Sequence, residues 1–235
     1  MSAGIGLSVG YAAIGGVAVT AGAAYASARR LSPRARNLIQ HGAAGTVLAG
    51  LVIDIFAKLE ARPDQLVFTA IGMVVGLAGM LAIRGFLGDE GEGGVGSLLV
   101  TVVTDILVDG VLIGLSAALG SGTGLLFAIA LAPEMGLLGV TAASEVKNRW
   151  PARRTVTAAA GIGAAITGAG ALGWTIAQTN PALQTLVFGI GASVIIYLIL
   201  EELLREAHET DTGPLEVAIL FGAFLPFFLA GIATG

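Results

Sequence analysis

The chain has no cysteine, two histidines and few charges, with Asp, Glu, Lys and Arg together making up 12% of its 235 residues. The missing cysteine excludes disulfides and thiolate metal sites. The scarcity of charge excludes a soluble globular class, in which about 25% of residues are charged. A globular domain with half that charge could not cover its surface. No basic run offers itself to a nucleic acid, and no glycine-rich stretch has phosphate-loop spacing. No nucleophile–base pair stands out, so an enzyme is not expected. The alternating segments of about ten residues that build a transmembrane β-barrel are missing too.

What is present is apolar and continuous. The composition is 55% hydrophobic, with a mean hydropathy of +0.89. Eight runs are each long enough to cross about 30 Å of hydrocarbon: roughly 4–27, 38–60, 65–87, 97–119, 123–144, 155–178, 182–204 and 214–234. The expected fold is all-α, a single eight-helix transmembrane domain in a lipid bilayer, with the cell membrane as its expected location. The first run lacks a charged leader and ends at Arg29-Arg30, so it reads as a helix of the domain rather than a cleavable signal. Glycine is abundant, 36 residues, and pairs such as Gly72/Gly76, Gly110/Gly114 and Gly189/Ser193 follow the small-xxx-small spacing that lets membrane helices approach closely. Such faces predict a tight bundle and would permit a homodimer.

Basic residues in short loops set the orientation. Arg29, Arg30, Arg34, Arg36, Arg84, Lys147, Arg149, Arg153, Arg154 and Arg205 fall on one side of an eight-helix chain, and only Lys58 and Arg62 on the other. This asymmetry predicts cytoplasmic arginine loops and both termini extracytoplasmic.

Within this apolar frame, a few carboxylates lie where a membrane helix should have none. Asp105 and Asp109 lie midway along the fourth run, and Glu134 lies mid-way along the fifth, behind Pro133. A charge at the bilayer centre costs roughly 2.5–3.5 kcal/mol on insertion scales, so such residues face a cavity, a partner or an ion. Asp105 and Asp109 are four apart and share a helix face. Like charges that close in low dielectric call for a cation or a shared proton. Asp54 lies toward the outer end of the second run and is read as either an outer gate ligand or a hydrated interfacial residue. Glu201 lies toward the inner end of the seventh, with a better claim to a role than Glu202 beside it. His208, with Glu206, Glu209 and Asp211, reads as a solvated run, and His41 as a satisfied core or interfacial histidine. The predicted metal-ligating set is Asp105, Asp109, Glu134, Asp54 and Glu201. Oxygen-only ligation suits Mg, Ca or Mn, whereas imidazole, absent from the centre, would favour Zn, Fe or Ni. The alternative is that the central acids are protonated and hydrogen-bond through Thr101, Thr104 or Ser116. Pro133 frees a backbone carbonyl one turn back and can kink the helix.

Three stretches together resemble the ZIP (Zrt/Irt-like) family of divalent metal transporters. HGAAGTVLAGLVIDIFAKLEA (41–61) is similar to that family's second helix, TDILVDGVLIG (104–114) to its fourth-helix signature, and VFGIGASVIIYLILEELLREA (187–207) to its seventh helix. The resemblance puts Asp105 at the position of the fourth-helix histidine, Asp109 at that of its acid, and Glu134 at the Glu of the fifth-helix His-Glu pair, with Pro133 replacing the His. The usual binuclear, histidine-containing centre is thereby reduced to an all-carboxylate set. The resemblance implies no resident cofactor, a divalent cation (Zn, Mn, Fe, Mg or Ca) as substrate, and an elevator-like movement of the site-bearing helices. Two other functions stay open on the residues alone: a non-transporting membrane protein acting as sensor or structural partner, and a proton-linked transporter of another solute.

Overall fold

The computed structural model describes residues 2–29, 31–88, 95–120, 122–147, 149–204 and 213–234, with the side chains of 2, 3, 86–88, 95–103, 105, 106 and 202 outside the description. Among the described residues the chain forms eight long helical rods and no strand. These are α1 (Ser2–Ala28), α2 (Pro33–Glu60), α3 (Leu66–Gly88), α4 (Val95–Ala118), α5 (Thr123–Val146), α6 (Ala152–Ala177), α7 (Pro181–Leu198, continued by a π-helical turn Ile199–Leu204) and α8 (Pro214–Thr234). Seven of them are long and apolar enough to cross a membrane. In α4, 24 residues long, the stretch whose side chains are described, Leu107–Ala118, is apolar but shorter. The protein has the build of an α-helical integral membrane protein.

The helix starts follow from local chemistry. Ser32 accepts the Ala35 N–H at 3.2 Å ahead of Pro33, and Asn180 accepts the Leu183 N–H at 2.9 Å ahead of Pro181. Each pairs a side-chain cap with a proline at the first helical position, where its missing N–H has no cost. At α8 the roles reverse: the Glu216 carboxylate reaches back to the Gly213 N–H at 2.9 Å, the backbone half of a capping box. The α4–α5 turn is closed by Gly120, with φ of +76°, a conformation that glycine adopts without strain.

Two groups of helices emerge from the packing. In one, α1 runs along α5 and α6, and α4 lies against α6 and α1. In the other, α3 pairs with α7, α8 pairs with α2, and the π-helical end of α7 meets α2. The main contact between the groups is α2 against α5, with α4 touching α7 nearby. The core sits at that seam: Leu51, Ile55, Leu112, Phe127, Leu131 and Phe188 are all but fully buried. By contrast, α3 and α8 present large apolar side chains outward, among them Leu66, Val67, Val74, Phe221 and Ile232. Lipid would cover those faces.

Candidate cation site

The seam is built from two stripes with the same spacing. On α4 the positions are Ser116, Leu112 and Asp109, with the backbone of Asp105 four residues further on; on α5 they are Thr123, Phe127, Ala130 and Glu134. Steps of four, three and four residues keep each set on one helical face. The stripes run antiparallel from a shared starting point, because Ser116 Oγ and Thr123 Oγ1 both donate to the Asp54 carboxylate of α2, each at 2.6 Å. Depth follows from that anchor at about 1.5 Å per residue. Glu134 is level with Asp105, and Asp109 lies one turn, about 6 Å, nearer Asp54. Asp54 itself is about 16 Å from the Glu134 level, which makes it a separate position on the same seam.

Asp109 is 1% exposed, and neither of its carboxylate oxygens has a hydrogen-bond partner. Its neighbour Gly110 turns to α6, where a Cβ would lie 2.6 Å from the Ile166 carbonyl oxygen and 2.7 Å from Ala169 Cβ. Leu112 turns to Gly191 of α7. On α2 the buried residues include the small and apolar Ala43, Ala44, Val47 and Gly50 and, one to two turns nearer the helix start, the polar Asn37, Gln40 and His41, while Thr46 donates to the Ala43 and Ala130 carbonyls at 3.0 and 2.8 Å. Burying a carboxylate without donors costs far more than burying an apolar group, so the arrangement demands a proton or a cation.

Glu134 is buried on the α5 stripe at 6% exposure, and its side chain has further interactions of its own. The backbone of Asp105 belongs to α4, but its side chain lies outside the described residues, as does that of Glu202. The run containing Glu206, His208, Glu209 and Asp211 also lies outside them. Among the described residues no three His, Cys, Asp or Glu side chains come together as a metal cluster.

The structure places the two outlying acids in ion pairs. Asp54, fully buried in a π-helical turn (Leu51–Phe56), pairs with Lys58 of the following turn in addition to its bonds from Ser116 and Thr123. The Lys58 ammonium also donates to Ser116 Oγ at 3.0 Å and stands 5.9 Å from the centre of the Phe188 ring. Glu201, in the π-helical turn of α7, accepts from Arg84 of α3 at 2.5 Å, in a pair whose side chains are 38% and 49% exposed. That arginine also donates to the Tyr197 hydroxyl at 3.3 Å. His41 is buried, and its Nδ1–H donates to the Asn37 carbonyl at 3.0 Å, as a core histidine does.

Lys58 and Thr123 are the site residues that a reading of the apolar runs misses, and Ser116, expected to serve the central acids, bonds to Asp54 instead. Lys58 looks like part of the polar turn KLEARPD. The signal is its spacing: four residues after Asp54, it falls on the same helix face. Compared with known protein families and with curated proteins, the chain matches none.

Proposed function

We propose that this protein moves a divalent metal cation across the cell membrane by a ZIP-like mechanism, with eight spans and both termini outside. The cation path follows the seam between α2, α4 and α5. Asp109, Glu134 and Asp105 supply the carboxylate oxygens at mid-membrane. Asp54 stands toward the outer mouth, and Glu201 toward the inner one.

The single observation that carries this reading is the buried Asp109 carboxylate with no partner on either oxygen. A charge in low dielectric is kept only where something positive visits it. Asp54, neutralised by Lys58, makes the contrast. The two-group packing supports an elevator-like step, since α4 and α5 belong with α1 and α6 and meet the other group mainly across α2. A cation held between the α4 and α5 stripes could travel with that four-helix group past α2.

The test is uptake of Mn2+, Zn2+, Fe2+, Mg2+ and Ca2+ into proteoliposomes holding the full chain. Asp109→Ala abolishes uptake of the transported ion while the protein still folds and inserts. Uptake by that variant at the wild-type rate removes the site. Proton flux that needs no divalent ion would instead favour a proton-linked carrier, which uses the same residue types.

A further inference from the structure

The buried pair on α2 is more than a neutralised acid, because of where it lies. Asp54 and Lys58 belong to the group of α2, α3, α7 and α8, whereas Ser116 and Thr123 belong to the group of α1, α4, α5 and α6. The described hydrogen bonds of the cluster that leave α2 therefore cross the seam. Ser116 and Thr123 donate to Asp54 from α4 and α5, and Lys58 donates to Ser116 in return. Phe188 of α7, fully buried, stands beside the ammonium on the remaining side. Close by, Arg62 donates to Gln184 Oε1 at 2.8 Å, which fastens the end of α2 to the start of α7.

Lys58 is the cation at the Asp54 end of the seam, with its side chain 13% exposed, whereas Arg36 crosses from α2 to α5 at the far end, donating to Thr141 Oγ1 at 3.2 Å. Two turns deeper on the α4 stripe, about 10 Å away, is the partnerless Asp109. The geometry thus puts a tethered ammonium on the first carboxylate of the seam and leaves the second without a cation of its own. A mobile cation arriving from this end would meet Asp54 already occupied.

We propose that the Lys58 ammonium is a resident cation that closes the Asp54 end of the path, and that it must leave Asp54 before α4 and α5 can part from α2. The proposal rests on the reading of the seam as a cation path. Lys58 is a gating residue in this scheme. It contacts Asp54, Ser116 and the Phe188 ring, and acts on the transported ion by exclusion. Opening exchanges the buried ion pair for hydrated groups, and the desolvation saved in that exchange offsets much of the lost attraction. A closed pair of this kind is bistable rather than permanent.

The natural absence of cysteine allows a direct test. Asp109→Cys introduces the one thiol of the full chain, and a small, membrane-impermeant cationic thiosulfonate is applied to vesicles from either face. With Lys58 present, the thiol reacts slowly from the Lys58 face. In Lys58→Met it reacts faster from that face by about tenfold or more, the scale of a population shift worth having in a gate. Lys58→Met leaves a buried Asp54 charge without its ammonium, with the Ser116 and Thr123 hydroxyls still donating to it, so Asp54→Asn/Lys58→Met is the second variant, with both charges gone; it too should open. Lys58→Arg keeps the charge and should stay slow. If the thiol reacts from the opposite face but its rate from the Lys58 face is the same in all backgrounds, the gate is overturned and the path stands. If it reacts from neither face in any background, the path itself is overturned.

Discussion

Gly16 of α1 and Gly163 of α6 meet backbone to backbone: a methyl group on either would lie 2.5 Å from the carbonyl oxygen of the other. Neither backbone can give way without moving its helix, and α1 packs along α5 as well as α6. Gly163→Ala should therefore destabilise the protein by about 1–3 kcal/mol, the range for overpacking a filled contact. Gly161, two residues earlier on α6, has nothing within 4 Å of where its Cβ would be. There the same substitution should be neutral or stabilising by up to about 1 kcal/mol, from helix propensity alone. Unfolding midpoints of the two variants in detergent should move in opposite directions. A loss at both positions would mean that close approach is not what holds α1 to α6.

The Asp109 carboxylate yields a prediction in which stability and function separate. Asp109→Asn keeps the shape of the side chain and removes its charge from a site with no donors. Stability without metal should be unchanged or higher, since a buried, unpaired charge is a liability to the fold. Stabilisation by metal should vanish. A divalent ion at a hundred times its Kd raises wild-type stability by about 2.7 kcal/mol, through binding only the folded state. Thermal unfolding with and without saturating ion checks both halves, and a variant that is still stabilised by the ion would move its site elsewhere.

Much of the fold was legible in the sequence because continuous apolar runs mark membrane helices directly: seven of the eight predicted runs coincide with helices long and apolar enough to cross a membrane, and the fourth coincides with α4, whose described apolar stretch is shorter. The starts were less so. The second run was placed at 38 and the sixth at 155, whereas the helices begin at Pro33 and Ala152. In both, arginines occupy the first turns (Arg34 and Arg36, Arg153 and Arg154), and hydropathy leaves charged turns out of the span although the backbone is already helical there. Ser32-Pro33 was the better guide to where α2 begins. For the site, the burial of Asp109 and Glu134 within the bundle agrees with their place among the mid-run acids, whereas the face shared by Asp109 and Asp105 is an expectation from spacing that falls outside the described side chains. The Asp54 cluster was not legible, because it joins residues 54, 58, 116 and 123 from three helices, and helix rotation about each axis is not written in a hydropathy pattern. The similar depth of Glu134 and the α4 acids was expected from their mid-run positions, and Ser116 and Thr123 on one carboxylate give the helices a common origin for it.

The pair between Arg84 and Glu201 makes the opposite kind of prediction. Both side chains are more than one-third exposed, so water and salt screen their attraction despite the 2.5 Å contact. Arg84→Gln should alter stability by no more than about 1 kcal/mol, and less at high ionic strength. If chemical unfolding of this variant shows a loss of several kcal/mol, the link between α3 and α7 is structural in a way that exposure does not anticipate.

Ser116 and Thr123 offer the strictest check on the seam, because each gives one hydroxyl to the same fully buried carboxylate. Hydrogen bonds to charged groups contribute about 1.5–3 kcal/mol. Ser116→Ala and Thr123→Val should each cost an amount of that order, and the two costs should not add, since both act on Asp54. Repeating both substitutions in an Asp54→Asn/Lys58→Met background, where the charge is gone, should reduce each cost to that of a neutral hydrogen bond, about 0.5–1.5 kcal/mol. Unfolding measured across this cycle separates the cluster from ordinary packing. If the hydroxyls cost the same with and without the charge, Asp54 is not the group they serve, and the common origin that sets the depths of Asp109 and Glu134 is lost with it.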